Sequence, residues 1–159
     1  MTLSEIMRYS LQKNENDNGL VNLEEEITHL QNIIHIHQLR FNGKLQIDFS
    51  VEGNPQNTGI LPFVLITMVE NALKHGDLNN PDFPVLIGLI CDEKRQKVLF
   101  SVGNRKRDGP KEASTGIGLA NTISRLKWMY KDNYSFQITN EQHYFTAELV
   151  LPYDKLHSH

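Results

Sequence analysis

The sequence predicts an α+β sandwich with helices on one face of a sheet. Three observations lead there. Four stretches carry apolar residues at helical spacing, five others read as short strands, and most of the strands follow one another through turns. No internal repeat competes with this reading.

Leu3, Ile6, Met7 and Leu11 predict a helix over about Leu3–Lys13, followed by the turn-rich connector Asn14–Gly19. Asn22 can cap a second helix, whose acidic start (Glu24–Glu26) suits the positive end of the dipole. Its apolar stripe is Ile27, Leu30, Ile33, Ile34 and Leu39. Leu45, Ile47, Phe49 and Val51 alternate as a strand, and Gly53–Gly59 reads as a loop. Pro62 can open a third helix, buried through Leu61, Val64, Leu65, Met68, Val69, Ala72 and Leu73. Gly76 would stop it by taking a left-handed conformation. Val85–Cys91 and Lys97–Val102 form a strand pair, Asn104–Ser114 a mobile basic loop, and Ile117–Lys131 the last helix. Tyr134–Ile138 and Tyr144–Leu151 complete the sheet.

The 159 residues suit one domain, and 39% hydrophobic with 22% charged content is ordinary for a globular protein. Sixteen Lys and Arg against nineteen Asp and Glu leave a formal charge of -3, so no global basic field for nucleic acid exists. The single cysteine, Cys91, excludes an internal disulfide and a multi-cysteine zinc site. No stretch reaches the roughly 20 apolar residues of a membrane span, and the start lacks signal-peptide features. The expectation is a cytosolic domain.

Chemistry concentrates in three places. On the third helix Asn71, Lys74 and His75 stand at i, i+3 and i+4, and Glu70 lies four residues before Lys74. A solvent-facing stripe with one Glu–Lys pair would look the same. As a site, Asn71 offers an oxygen to Mg²⁺, Lys74 a charge to phosphate, and Glu70 a carboxylate to a nucleophile. Ser114-Thr115-Gly116-Ile117-Gly118-Leu119-Ala120-Asn121 runs into a helix, as a flexible loop would, or as a backbone cradle for phosphate. Asn104 ends a strand, either as a turn former or as an acceptor for the exocyclic amine of adenine.

The order of the three is more specific than any one of them. Val69-Glu70-Asn71-Ala72-Leu73-Lys74-His75-Gly76 resembles the asparagine box of the gyrase and histidine-kinase ATPase superfamily, and Thr115–Asn121 with Arg125-Leu126 resembles its second glycine box. Met7-Arg8-Tyr9-Ser10-Leu11, Leu23–Glu26 and Leu39-Arg40-Phe41 are similar to the stretches before that box in the autolysin-regulator (Lyt-type) sensor kinases. The resemblance runs from about Leu3 to Leu151. It implies a Bergerat-type two-layer sandwich, a mixed, largely antiparallel sheet on helices, that binds ATP with Mg²⁺. It further implies that Asn71 holds the metal and that Glu70 stands beside the transferred phosphate. Lys74, His75, Thr115, Gly116, Gly118 and Leu119 would border the nucleotide, Asn104 would read adenine, and Asn104–Thr115 would form a lid.

Two departures from the family pattern stand out. Asn104 replaces the usual aspartate and is followed by Arg105-Lys106-Arg107 where glycine is usual, and Ser114 replaces the first glycine of the second box. The basic run can attract triphosphate or be a solvated loop. The family's acceptor histidine lies on a helix before the Arg-Tyr-Ser-Leu stretch, and no histidine here precedes His29. His29, His35 and His37 read as surface or partly packed side chains.

The implied division is the end of the histidine-helix region and connector (1–19), the ATP-binding domain (20–154) and a tail (155–159). The implied function is transfer of the γ-phosphate of ATP to a histidine on a dimerisation segment of the parent kinase, for relay to a response regulator. The parent would be a homodimer anchored in the bacterial inner membrane. An anti-sigma-factor-type serine kinase or a non-catalytic signalling module are the competing readings.

Overall fold

Asn22 ends the two-residue strand β1 (Val21–Asn22) and caps the helix α1 (Leu23–Arg40). Its side-chain oxygen accepts from the Glu24 N–H at 3.1 Å in this computed structural model, in which residues 19–110 and 117–156 are described. Three acidic residues fill the first turn of α1, and His37 and Arg40 lie in its last, an arrangement that suits the helix dipole. Leu23, Ile27, Leu30 and Ile33 are buried as the stripe predicts. Leu39 is not: it is 65% exposed, because the helix turns it away from the core in its last turn.

β2 (Ile47–Gly53) is followed by β3 (Thr58–Ile60), so the expected loop Gly53–Gly59 enters a strand before it ends. α2 (Val64–His75) buries Val64, Leu65, Met68, Val69, Ala72 and Leu73. β4 (Val85–Asp92) and β5 (Lys97–Arg105) follow, then α3 (Ile117–Tyr130), β6 (Ser135–Asn140), β7 (Tyr144–Pro152) and β8 (Asp154–Lys155). The helix expected over Leu3–Lys13 lies outside the described residues.

The main sheet has the order β2-β4-β5-β7-β6. β2 and β4 are parallel and the other neighbours antiparallel, so the sheet is mixed. A parallel pair needs a crossover, and the segment through β3 and α2 supplies it. β4 alternates cleanly: Val85, Ile87, Leu89 and Cys91 are buried, while Leu86 and Ile90 face outward. Helices therefore cover one face, with α2 against β5 and α1 and α3 beside α2. A second small sheet, β1-β3-β8, stitches both ends of the described fold to β3.

Two expectations about loops change. The Asn104–Ser114 segment begins as strand: β5 continues to Arg105, and Lys106 bridges Gly76. Gly76 does follow α2, but with extended backbone (φ -79°, ψ 154°), not left-handed. Space is the reason for glycine here. A Cβ would stand 2.6 Å from the Ala72 carbonyl oxygen and 3.0 Å from Leu78 Cδ2.

Tyr130 joins the end of α3 to the start of α2. Its hydroxyl accepts from the Leu61 N–H at 3.1 Å, and burial pushes its pKa from 10 up to about 12. A folded-state pKa raised above the unfolded one gives stability that is complete below pH 10 and lost as pH rises through 12. Alkaline titration followed by circular dichroism should show that loss, and Tyr130→Phe should flatten it. The same substitution leaves the Leu61 N–H unsatisfied and should cost about 1–2 kcal/mol in urea unfolding at neutral pH.

Candidate functional site

The turn that enters α2 is held from both sides. Phe63 takes a left-handed conformation (φ 67°), unusual for a bulky residue, and its N–H donates to Glu26 Oε1 of α1 at 3.2 Å. From α3, Arg125 Nη2 donates to the Pro62 carbonyl at 2.7 Å. Thr67 Oγ1 returns to the Phe63 carbonyl at 2.8 Å. Glu26 is completely buried, and its charge favours the protonated Arg125, whose pKa burial lowers. The start of α2 is thus fixed by contacts from α1 and α3.

With its apolar side committed to the core, α2 turns Glu70 and Lys74 to solvent and leaves Asn71 and His75 half-buried. Glu70 is reachable by water, yet partial desolvation pushes its carboxyl pKa above the ordinary value. The Gly76 backbone closes the helix, its N–H donating to the Ala72 carbonyl at 2.8 Å.

Asn104 lies against that end of α2, its Cβ 3.4 Å from where a Gly76 Cβ would be. It is 1% exposed. Its Nδ2 donates to the Arg105 carbonyl at 3.1 Å, and that carbonyl also accepts from the Asp77 N–H at 2.8 Å. This fixes which end of the amide is committed. Oδ1 is left buried with no hydrogen-bond partner, an acceptor that normally costs stability unless a donor arrives.

The chain beyond Asn104 is tied down. Arg107 N–H donates to the His75 carbonyl at 3.0 Å and Lys106 N–H to the His143 carbonyl at 2.8 Å. Arg105 sits over the Phe83 ring at 4.7 Å, and Lys106 Nζ donates to the Glu141 carbonyl. The first two cations of the basic run are therefore engaged with the protein.

At the other end of α2, Gly118 opens α3 close to Thr67: a Cβ there would lie 3.7 Å from Thr67 Cγ2. Thr122 Oγ1 donates back to the Gly118 carbonyl at 3.0 Å, and Leu119 is half-buried. Thr115 and Gly116 lie outside the described residues. α2 thus runs between Asn104 at its C-terminal end and the start of α3 beside Thr67. The nine steps from Thr67 to Gly76 make that separation about 14 Å along the axis. Among the described residues no three His, Cys, Asp or Glu side chains converge as a metal site, so a cation here would need ligands from a bound anion.

Sequence reasoning missed Glu26, Arg125 and Phe63 as supports of α2. A signal for Glu26 existed, since it falls three residues after Leu23 and four before Leu30, on the apolar stripe itself. Phe63 carries none, because its conformation is imposed by partners on α1 and α3.

Known proteins resemble this chain in sequence and in fold. A family model described as Histidine kinase matches residues 1–45. The sensor protein LytS of Bacillus subtilis (strain 168) is 27% identical over 78% of this chain and 23% of its own length. The sensor histidine kinase/phosphatase LytS of Staphylococcus aureus (strain MRSA252) is 25% identical over 98% of this chain and 28% of its own. The chain thus spans about a quarter of the length of these curated relatives. Among solved structures, the catalytic domain of histidine kinase ThkA superposes with a TM-score of 0.59 at 19% identity, over 86% of this chain and 97% of that one. ThkA in complex with the response regulator protein TrrA gives 0.58 at 18% identity, over 95% and 47%. Full-length ShkA in complex with AMPPNP gives 0.58 at 18%, over 87% and 32%. In sequence the chain is similar to the Lyt-type sensor histidine kinases, and in fold to histidine-kinase catalytic domains.

Proposed function

We propose that this domain binds Mg-ATP along α2 and transfers the γ-phosphate to a histidine on a dimerisation segment of the parent kinase, for relay to a response regulator. The observation that carries the reading is Asn104 Oδ1, a buried acceptor with no partner at the C-terminal end of α2. The exocyclic amine of adenine is a donor of the kind it lacks. Support also comes from ShkA, solved with AMPPNP, and from ThkA, solved with its response regulator. An inner-membrane anchor and a homodimeric parent belong to the same proposal.

The site residues divide the work by position. Adenine sits at Asn104, and the phosphates extend along α2 toward Gly118 and Leu119, where backbone N–H groups at a helix start suit anions. Thr115 and Gly116 would add to the same phosphate site. Lys74 supplies positive charge to the phosphates, with His75 beside it. Mg²⁺, a hard cation, would take the Asn71 side-chain oxygen alongside phosphate oxygens and neutralise the charge that develops on transfer. An imidazole nitrogen uses its lone pair to form the P–N bond as the bond from phosphorus to the ADP oxygen breaks, and ADP leaves with that electron pair. Glu70 accepts a hydrogen bond from the other ring N–H and so orients the attacking nitrogen.

Calorimetry tests the metal assignment. Asn71→Ala should weaken ATP about tenfold or more with Mg²⁺ present and less than about twofold in chelator. Equal losses in the two conditions would remove Asn71 as the ligand. With γ-labelled ATP, a histidine-bearing upstream segment should acquire acid-labile, base-stable phosphate, and Glu70→Ala should reduce the labelling.

A further inference from the structure

β4 buries Val85, Ile87, Leu89 and Cys91 on the helix side of the main sheet, so Leu86, Gly88 and Ile90 belong to the opposite face. Paired residues share a face, and register carries this one across the sheet in rows. One row is Glu52, Ile90, Leu99, Val150 and Ser135, and the next is Ser50, Gly88, Ser101, Glu148 and Gln137. A third holds Asp48, Leu86, Gly103 and Thr146. The solvated face of a sheet normally carries polar residues at such positions. Here Leu86 and Ile90 are 48% and 41% exposed, and Leu99 and Val150 are half-buried beside Ile90.

The middle row is a floor of small groups. A Cβ on Gly88 would stand 3.3 Å from Ser101 Oγ and 3.9 Å from Ser50 Oγ. Over this floor lies a trough of about 380 Å³, bordered by Ile90, Leu99 and Val150. Leu86 rises on the other side, and Tyr144 covers Gly103 next to it, its hydroxyl 3.1 Å from where a Cβ would be. Leu86 and Ile90 are about 13 Å apart along the strand, enough for a helix of about 10–12 Å in diameter. Five strands give the trough about 19 Å of length, roughly three and a half helical turns.

The charge at the trough has one sign. Glu52 and Glu148 line it, and no Lys, Arg or His does. Lys97, one row beyond Leu99, is opposite Asp92. Three strands and one row separate Glu52 from Glu148, about 16 Å, the length of three helical turns. We propose that this trough docks an amphipathic helix of a protein partner, with cations three turns apart for Glu52 and Glu148 and apolar residues between them on Ile90, Leu99 and Val150. A second copy fits less well, because two such faces would set carboxylate against carboxylate. The trough lies on the face away from α2, so its occupation does not rest on the nucleotide reading.

The test uses an alanine-rich helical peptide of about 15 residues, with two Lys three turns apart and Leu between them, titrated into the isotope-labelled 159-residue chain. Amide shifts should concentrate at Gly88, Leu99, Ser101 and Val150, with a Kd below about 1 mM. Glu52→Lys combined with Glu148→Lys should weaken the peptide about tenfold or more, and a peptide with Glu in place of both Lys should bind that variant instead. Both carboxylates are exposed, so the reversal leaves the core untouched. Gly88→Val fills the floor and should remove binding without any change of charge. Shifts that miss this face overturn the proposal, as does equal binding by the charge-reversed variant. Shifts at the same residues that grow with protein concentration in the absence of peptide overturn it too, by giving the face to a second copy.

Discussion

Asn104→Leu should weaken ATP and ADP by the same factor, about tenfold or more, because both carry the adenine whose amine would lose its acceptor. Calorimetry with the two nucleotides checks this; a loss confined to ATP would place Asn104 at the γ-phosphate. Asn104→Asp has a different outcome, set by the Nδ2 bond to the Arg105 carbonyl. A carboxylate would put a second acceptor 3.1 Å from that oxygen, at a position only 1% exposed. The fold should lose about 1–3 kcal/mol at neutral pH. Such a carboxyl has its folded-state pKa raised, so the missing stability should return as pH falls and the protonated oxygen donates to the Arg105 carbonyl. Asn104→Asp should therefore be less stable at pH 7 than at pH 5, as urea unfolding at the two pH values would show.

Glu26→Ala should be the most destabilising single change at the site, at about 3–5 kcal/mol. It removes the acceptor of the Phe63 N–H and the charge that offsets the desolvation of Arg125, both at the turn that aims α2. Against a total stability of about 5–15 kcal/mol this approaches unfolding at moderate temperature. Glu26→Gln keeps an oxygen for Phe63 but loses the charge and should cost less. Urea titration of the two variants separates the contributions. Equal and small losses would mean that the Phe63 conformation is held by packing alone.

The longer elements were legible in the sequence because each has a long apolar period. The α1 cap, the buried side of α2 and the alternation of β4 all stand where the pattern puts them. Partners were not legible. Alternation at Ile47–Val51 says that a strand exists, but the parallel pairing of β2 with β4 follows from the crossover through α2. β1, β3 and β8, at two or three residues each, are too short to show any period. The site divides the same way. Glu70, Asn71, Lys74 and His75 lie on one helix, so spacing alone groups them. The conformation of Asn104 depends on Gly76, Asp77, His75 and His143, residues distant in sequence. The extended backbone at Gly76 was missed for a related reason: the demand for glycine comes from Ala72 and Leu78 in space, not from a turn type.

The small sheet has a mechanical meaning. β1 and β8 flank the same three-residue strand β3, each through two pairs, so the chain enters and leaves this unit about 10 Å apart. A pull between entry and exit is borne by those short pairs first and leaves the long pairs of the main sheet unloaded. β3 continues through Leu61–Phe63 into α2, so the same strand that carries such a load also anchors the helix of Glu70 and Asn71. The stiffest route from either end of the unit to those two side chains is therefore one strand and one turn long.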